Sequence, residues 1–164
     1  NGEATRFCVS RRGAKVLTMP AADSSGEERS RAGERPMRTL VVDDNDVALR
    51  TICSFLKRQR QVDVVATAGD GQQALELARS LRPDLIVMDV QMPIMSGLEA
   101  ASHLGSEFPA MQVVMVTMHD TPELRQAVQA TGARWFVPKE RLSQELPSVI
   151  HEAFEKFRDT SASR

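Results

Sequence analysis

The chain has 164 residues, of which 41% are hydrophobic and 26% charged, proportions that are ordinary for a globular domain and exclude disorder throughout. Its 21 basic and 22 acidic residues leave a formal net charge of −1, so no overall field favours nucleic acid or a membrane surface. No apolar run approaches the roughly 20 residues of a membrane span. We therefore expect a cytoplasmic protein that contacts neither membrane nor nucleic acid and recognises its partners locally.

The first 36 residues lack any sustained period of a strand or a helix, and residues 21–36 are rich in Ser, Gly, Glu and Arg. This composition predicts a disordered extension over residues 1–36 that can be removed without loss of stability. The folded domain is predicted over residues 37–158. Residues 159–164 are expected to form a short tail.

After the extension, one pattern occurs five times: a short run rich in β-branched residues, a polar turn and an apolar stripe at helical spacing. The runs that predict strands lie at residues 40–42, 62–65, 85–88, 113–116 and 135–137. Strands that alternate with helices predict a doubly wound α/β domain. Its five-stranded parallel sheet should have the flavodoxin-like order 2-1-3-4-5 and be covered by helices on both faces.

Helix boundaries are marked by residues with specific capping functions. Ser96 and Glu99 have the spacing of a capping box, which predicts the start of the third helix. Pro122 follows Thr121 at the start of the fourth helix, and Gly132 is placed to end that helix.

Polar side chains follow four of the predicted strands. They are Asp43 and Asp44 after the first strand, Asp89 after the third, Thr117 at the end of the fourth and Lys139 beyond the fifth. In such a sheet, ligands bind at the carboxyl ends of the strands, where strand order reverses between the first and third strands. Three crowded carboxylates repel one another unless a cation lies among them. An oxygen-only cluster predicts a hard divalent ion, and Mg²⁺ suits an open site that also accepts phosphate oxygens.

Each of these residues, taken alone, has an ordinary structural interpretation. Two aspartates after a strand often cap a helix, and a single aspartate before a turn usually stabilises that turn. Thr117 alone would be a β-forming residue at a strand end, and Lys139 alone a solvated charge. Polar groups suited to binding a metal ion and a phosphate are improbable by chance at four independent strand ends. The set as a whole therefore favours a functional site.

Four segments make this pattern specific: LVVDD at residues 40–44, DVQMP at 89–93 with Ser96-Gly97, VT at 116–117 and FVPK at 136–139. Together they closely resemble the receiver domain of two-component response regulators, over about residues 37–157. The run VTMHD at residues 116–120 also resembles the subgroup whose receivers usually precede a helix-turn-helix DNA-binding domain.

The resemblance implies a phosphorelay function centred on Asp89. This residue would be the phosphoacceptor, and a phosphohistidine of a sensor histidine kinase or phosphotransfer protein would be the donor. Asp44 and Asp89, with the backbone carbonyl of Gln91, would ligate Mg²⁺, while Asp43 would act through water.

The resemblance also implies how phosphorylation changes the domain. Lys139 would pair with one phosphoryl oxygen, Thr117 would bring its hydroxyl onto another, and Phe136 would turn inward as Thr117 moves. The expected output face comprises the fourth helix, fifth strand and fifth helix, through which the chain would form a homodimer or a heterologous complex. Trp135 is expected to be an exposed aromatic anchor on that face.

Two other functions use similar residues. A haloacid-dehalogenase-like phosphatase also combines a strand-end aspartate, Mg²⁺, threonine and lysine, but that family has a second aspartate where this chain has Gln91. Without that acid a leaving alcohol is not protonated, so we expect no turnover enzyme, only self-phosphorylation and autodephosphorylation. The other alternative is an interaction module that is never phosphorylated.

Overall fold

The computed structural model describes residues 7–9, 15–17 and 35–162. The described residues form seven strands: β1 (Phe7–Val9), β2 (Lys15–Leu17), β3 (Met37–Val42), β4 (Val62–Ala68), β5 (Leu85–Asp89), β6 (Gln112–Thr117) and β7 (Trp135–Pro138). The helices among them are α1 (Asp46–Leu56), α2 (Gly71–Leu81), α3 (Gly97–Glu107), α4 (Pro122–Ala130) and α5 (Leu142–Ala162), with a 3₁₀ turn at Lys139–Arg141. None of the described helices is long and apolar enough to cross a membrane.

The sheet has the predicted parallel core. Its strand order is β1-β2-β4-β3-β5-β6-β7, and β3 to β7 are parallel, which confirms the order 2-1-3-4-5 for the five predicted strands. Register aligns the strand ends: Asp89 lies opposite Val116 in β6, and Thr117 lies opposite Pro138 in β7. Residues that end these strands therefore meet at one edge of the sheet.

Two apolar cores lie on opposite faces of the sheet. Alternation along β3 sends Leu40 and Val42 to the face covered by α2 and α3, and Val41 to the face covered by α1 and α5. β5 is buried along its whole length, as expected for a central parallel strand. The two cores hold the strand ends, and the side chains they carry, in a fixed arrangement.

The predicted helix boundaries at α3 and α4 are confirmed. The Ser96 hydroxyl accepts a hydrogen bond from the Glu99 amide, and the Glu99 carboxylate accepts one from the Ser96 amide. Thr121 caps α4 ahead of Pro122. Gly132 has a φ of +84°, a left-handed conformation that glycine adopts without steric cost and that ends the helix.

Two boundaries differ from those predicted. The region predicted as disordered contains β1 and β2, which pair with each other, and β2 also pairs antiparallel with β4. The prediction of disorder is therefore wrong for these six residues, while residues 1–6, 10–14 and 18–34 lie outside the described part. The predicted tail also differs for residues 159–162, because α5 continues to Ala162. Residues 163–164 are outside the described part.

Trp135 is buried, contrary to the prediction that it is an exposed anchor. Its side chain packs in the core beneath α5 and is 8% exposed, and its indole N–H donates to Glu152 at 2.9 Å. The reason is that α5 covers β7, so the residue at the start of β7 faces this helix instead of solvent.

Candidate functional site: an acidic pocket at the carboxyl edge of the sheet

Three carboxylates converge where β3 and β5 end. Asp43 and Asp89 are buried, at 1% and 4% exposure, whereas Asp44 is exposed. One oxygen from each carboxylate lies within 4.8 Å of one from each of the others. The predicted clustering of these three residues is therefore present in the fold.

The turn after β3 separates the roles of the two adjacent aspartates. Asp43 continues the strand, since its amide donates to the Ala68 carbonyl at 3.1 Å, and its Oδ1 accepts the Asn45 amide at 2.9 Å. The Asn45 side chain caps α1 by accepting two backbone amides at 3.0 Å each. Asn45, and not either aspartate, is thus the helix cap. Asp44 has no hydrogen bond or ion pair with another described residue, so both its oxygens are available to a ligand.

The loop after β5 orients the Asp89 carboxylate. The Gln91 amide donates to Asp89 Oδ2 at 3.0 Å. The loop folds back on itself, because the Val90 amide donates to Val116 and the Gly97 amide donates to the Val90 carbonyl, each at 2.9 Å. The first residue of α3 therefore lies directly against the backbone of Asp89.

Gly97 is required by this close approach, because a Cβ at this position would overlap the Asp89 carbonyl oxygen. We expect Gly97→Ala to lower the free energy of unfolding by about 1–3 kcal/mol, since the Asp89 loop must move to relieve the overlap. Urea denaturation measures this loss. Gly69→Ala is the control, because a Cβ there meets no atom of the described residues within 4 Å. Equal stability of the two variants would contradict the proposed overlap.

Lys139 bridges two of the carboxylates. Its ammonium nitrogen lies 2.5 Å from Asp43 Oδ2 and 2.9 Å from Asp89 Oδ1. Burial lowers the pKa of Lys139, but its bonds to Asp43 and Asp89 outweigh burial and raise it overall. Burial raises the pKa of Asp89, although the Lys139 ammonium acts in the opposite direction. Among the residues that the structure describes, one cation for three acids leaves an excess of negative charge in the pocket.

Thr117 and Phe136 lie beside the pocket. The Thr117 hydroxyl is buried and bonds within its own loop: it accepts the His119 amide at 3.1 Å and donates to the His119 carbonyl at 3.2 Å. Phe136 is half-buried, and the guanidinium carbon of Arg125 lies 4.7 Å from its ring centroid. In this structure the Thr117 hydroxyl is therefore directed to its own loop and not to Asp89.

Sequence reasoning located the residues at the strand ends but missed the ones that hold them. Asn45 carried a detectable signal, because an asparagine directly before a helical apolar stripe is a common cap. The contacts of Arg125 and of Gly97 carried none, since they depend on how separate segments approach one another.

The family of the chain follows from a match that spans most of this fold. A family model described as the response regulator receiver domain matches residues 39–151, a range that contains every residue of the pocket. The chain belongs to the response regulator receiver family. The resemblance inferred from the sequence motifs is therefore confirmed.

Individual relatives agree with this assignment. The transcriptional regulatory protein LnrK of Bacillus subtilis is 32% identical over 70% of this chain and 52% of its own length. A protein-glutamate methylesterase/protein-glutamine glutaminase of Methanosarcina mazei is 32% identical over 80% of this chain and 37% of its own length. The receiver domain of a NarL response regulator from Mycobacterium tuberculosis matches in structure with a TM-score of 0.63 and 28% identity, covering 79% of this chain and 99% of that domain.

These relatives correct one expectation and leave another without support. The chain spans about half the length, or less, of the curated relatives described here, and one of them is a methylesterase. The prediction that this protein is not an enzyme is therefore wrong as an exclusion, since receiver domains occur in relatives that are enzymes. The prediction of no nucleic-acid contact is likewise unsupported, because another of these relatives is a transcriptional regulator.

Proposed function

We propose that Asp89 accepts a phosphoryl group from a phosphohistidine of a sensor histidine kinase or a phosphotransfer protein, and that this reaction switches partner binding. The observation that carries the proposal is the arrangement around Asp89: a strand-end carboxylate 2.9 Å from the Lys139 ammonium and beside two further aspartates. A cytoplasmic location remains a prediction.

The transfer is an in-line displacement at phosphorus. A carboxylate oxygen of Asp89 forms the new P–O bond as the P–N bond to the donor imidazole breaks, and the released imidazole takes a proton from solvent. Lys139 holds a phosphoryl oxygen, because its ammonium already lies between Asp43 and Asp89.

The pocket also fits a magnesium ion. Its donors are oxygens only, they carry excess negative charge, and Asp44 has no competing partner among the described residues. Asp44, Asp89 and the Gln91 carbonyl would hold the ion, with Asp43 acting through water. When bound, Mg²⁺ supplies positive charge that offsets the charge on the phosphoryl oxygens.

Phosphorylation is proposed to act on the surface formed by α4, β7 and α5. A phosphoryl group on Asp89 offers a new acceptor to the Thr117 hydroxyl, which must leave His119 to reach it, and Phe136 then moves inward. Four exposed residues of this surface are candidates for contact with a second copy or another protein: Glu123, Gln129, Arg134 and Gln144.

Phosphotransfer tests the proposal directly. The chain should gain one phosphoryl group from a radiolabelled histidine kinase, or from phosphoramidate, in the presence of Mg²⁺ and not with EDTA. The label should be released by hydroxylamine, as expected for an acyl phosphate. Absence of label with every kinase of the source organism and with phosphoramidate would refute the proposed function.

A further inference from the structure

A group of four charged side chains links four consecutive segments near Phe136. We call Asp120, Arg125, Arg141 and Glu145 the Asp120 cluster; they come from the β6–α4 loop, α4, the 3₁₀ turn after β7, and α5. Arg125 donates to both carboxylate oxygens of Asp120 at 2.6 Å, and Arg141 donates to one of them at 2.6 Å. Arg141 also pairs with Glu145 at 2.7 Å.

The cluster covers the aromatic ring that the proposed switch must move. The guanidinium of Arg125 is fixed by its two bonds to Asp120 and lies over the Phe136 ring, 4.7 Å from its centroid. A planar guanidinium held at two points presents one face to an aromatic ring, a contact that a flexible ammonium does not reproduce. Phe136 is thus packed below a cation whose position depends on Asp120.

The same cluster is connected to both sides of the phosphoacceptor pocket. Asp120 directly follows His119, whose amide and carbonyl both bond the Thr117 hydroxyl. Arg141 lies two residues after Lys139, which bonds Asp89. When the Thr117 hydroxyl leaves the His119 backbone, the segment that carries Asp120 loses two of its hydrogen bonds.

We propose that the Asp120 cluster is a latch that holds Phe136 in its present position and couples Thr117 to the surface of α4, β7 and α5. Asp120 and Arg125 act here as positioning residues. The coupling half of this inference rests on the proposed phosphorylation of Asp89. The latch half concerns the unphosphorylated protein alone.

The bonds of the cluster have strengths suited to a reversible latch. Charge-assisted bidentate pairs have defined geometry, but all four side chains are partly exposed, so solvent screens them and each pair is weak. A small change at Thr117 is then enough to shift the population between the latched and released arrangements.

Amide chemical shifts of Asp120→Asn test the latch. Asparagine is isosteric but lacks the charge that binds both arginines, so residues 122–141 should shift, without any phosphate mimic, towards their positions in beryllofluoride-bound wild type. The population of this released form should rise several-fold. Arg125→Lys should move the amide shifts of these residues in the same direction, because lysine keeps the charge but not the planar face over Phe136.

Glu107→Gln is the matched control, since it breaks another exposed bidentate pair, that of Arg79 with Glu107, outside this surface. It should leave residues 122–141 unchanged. The latch is overturned if the amide shifts of Asp120→Asn and Arg125→Lys equal those of wild type everywhere except next to the substituted residue. It is also overturned if Glu107→Gln shifts residues 122–141 in the same way. Labelling of Asp89, measured in parallel, should persist in Asp120→Asn. Its absence in wild type as well would refute the proposed function and not the latch.

Discussion

The Asp89→Asn variant should take up no hydroxylamine-sensitive phosphoryl label from any donor, because the amide lacks the carboxylate oxygen that attacks phosphorus. Asparagine has nearly the same shape, so the loop held by the Gln91 amide should keep its conformation. The measurement is intact mass and hydroxylamine release after incubation with phosphoramidate and Mg²⁺. Asp46→Asn, an exposed aspartate in the first turn of α1, is the matched control and should label like wild type.

The same variant should melt cooperatively and, without Mg²⁺ at neutral pH, at a temperature no lower than wild type. Burial raises the pKa of Asp89, so keeping this carboxylate ionised opposes folding at neutral pH, and the neutral amide removes that penalty. Lys139 retains its contact with Asp43. Full labelling of Asp89→Asn would show that another residue accepts the phosphoryl group.

The parallel core was predictable because one physical rule governs it. Each of β3 to β7 contains a short, mostly apolar run, and the helices between them carry apolar stripes, so these strands stand out in the sequence. β1 and β2 do not, because each has three residues and exists through pairing, with β2 bound to the edge of β4. Such strands lack a period long enough to detect.

The pocket was predictable for a related reason. Parallel strands bring their carboxyl ends to one edge, so the residues at those ends cluster whatever the detailed packing. Trp135, the first residue of β7, was not predictable in this way, because its burial depends on the course of the following helix, α5. Of the Asp120 cluster, only the Arg141–Glu145 pair has a spacing that the sequence makes detectable, since Arg141 reaches Asp120 from a separate segment.

Magnesium should stabilise the wild-type protein, and Asp44→Ala should remove most of that effect. Both oxygens of Asp44 are available, whereas Asp43 already accepts the Asn45 amide and contacts Lys139. Free ion at 100 times its dissociation constant adds about 2.7 kcal/mol to the free energy of unfolding. Without the metal, Asp44→Ala should be at least as stable as wild type, because it relieves repulsion among three carboxylates and breaks no bond to a described residue.

Asp43→Ala should behave in the opposite way. Without metal it should lose about 1–3 kcal/mol of stability, because the Asn45 amide and the Lys139 ammonium both lose an acceptor. It should retain more of the magnesium effect than Asp44→Ala, since Asp43 is proposed to reach the ion through water. Urea denaturation of the three proteins, each with and without Mg²⁺, separates these expectations. An equal gain of stability in wild type, Asp44→Ala and Asp43→Ala would mean that the ion binds elsewhere and that these carboxylates do not form the metal site.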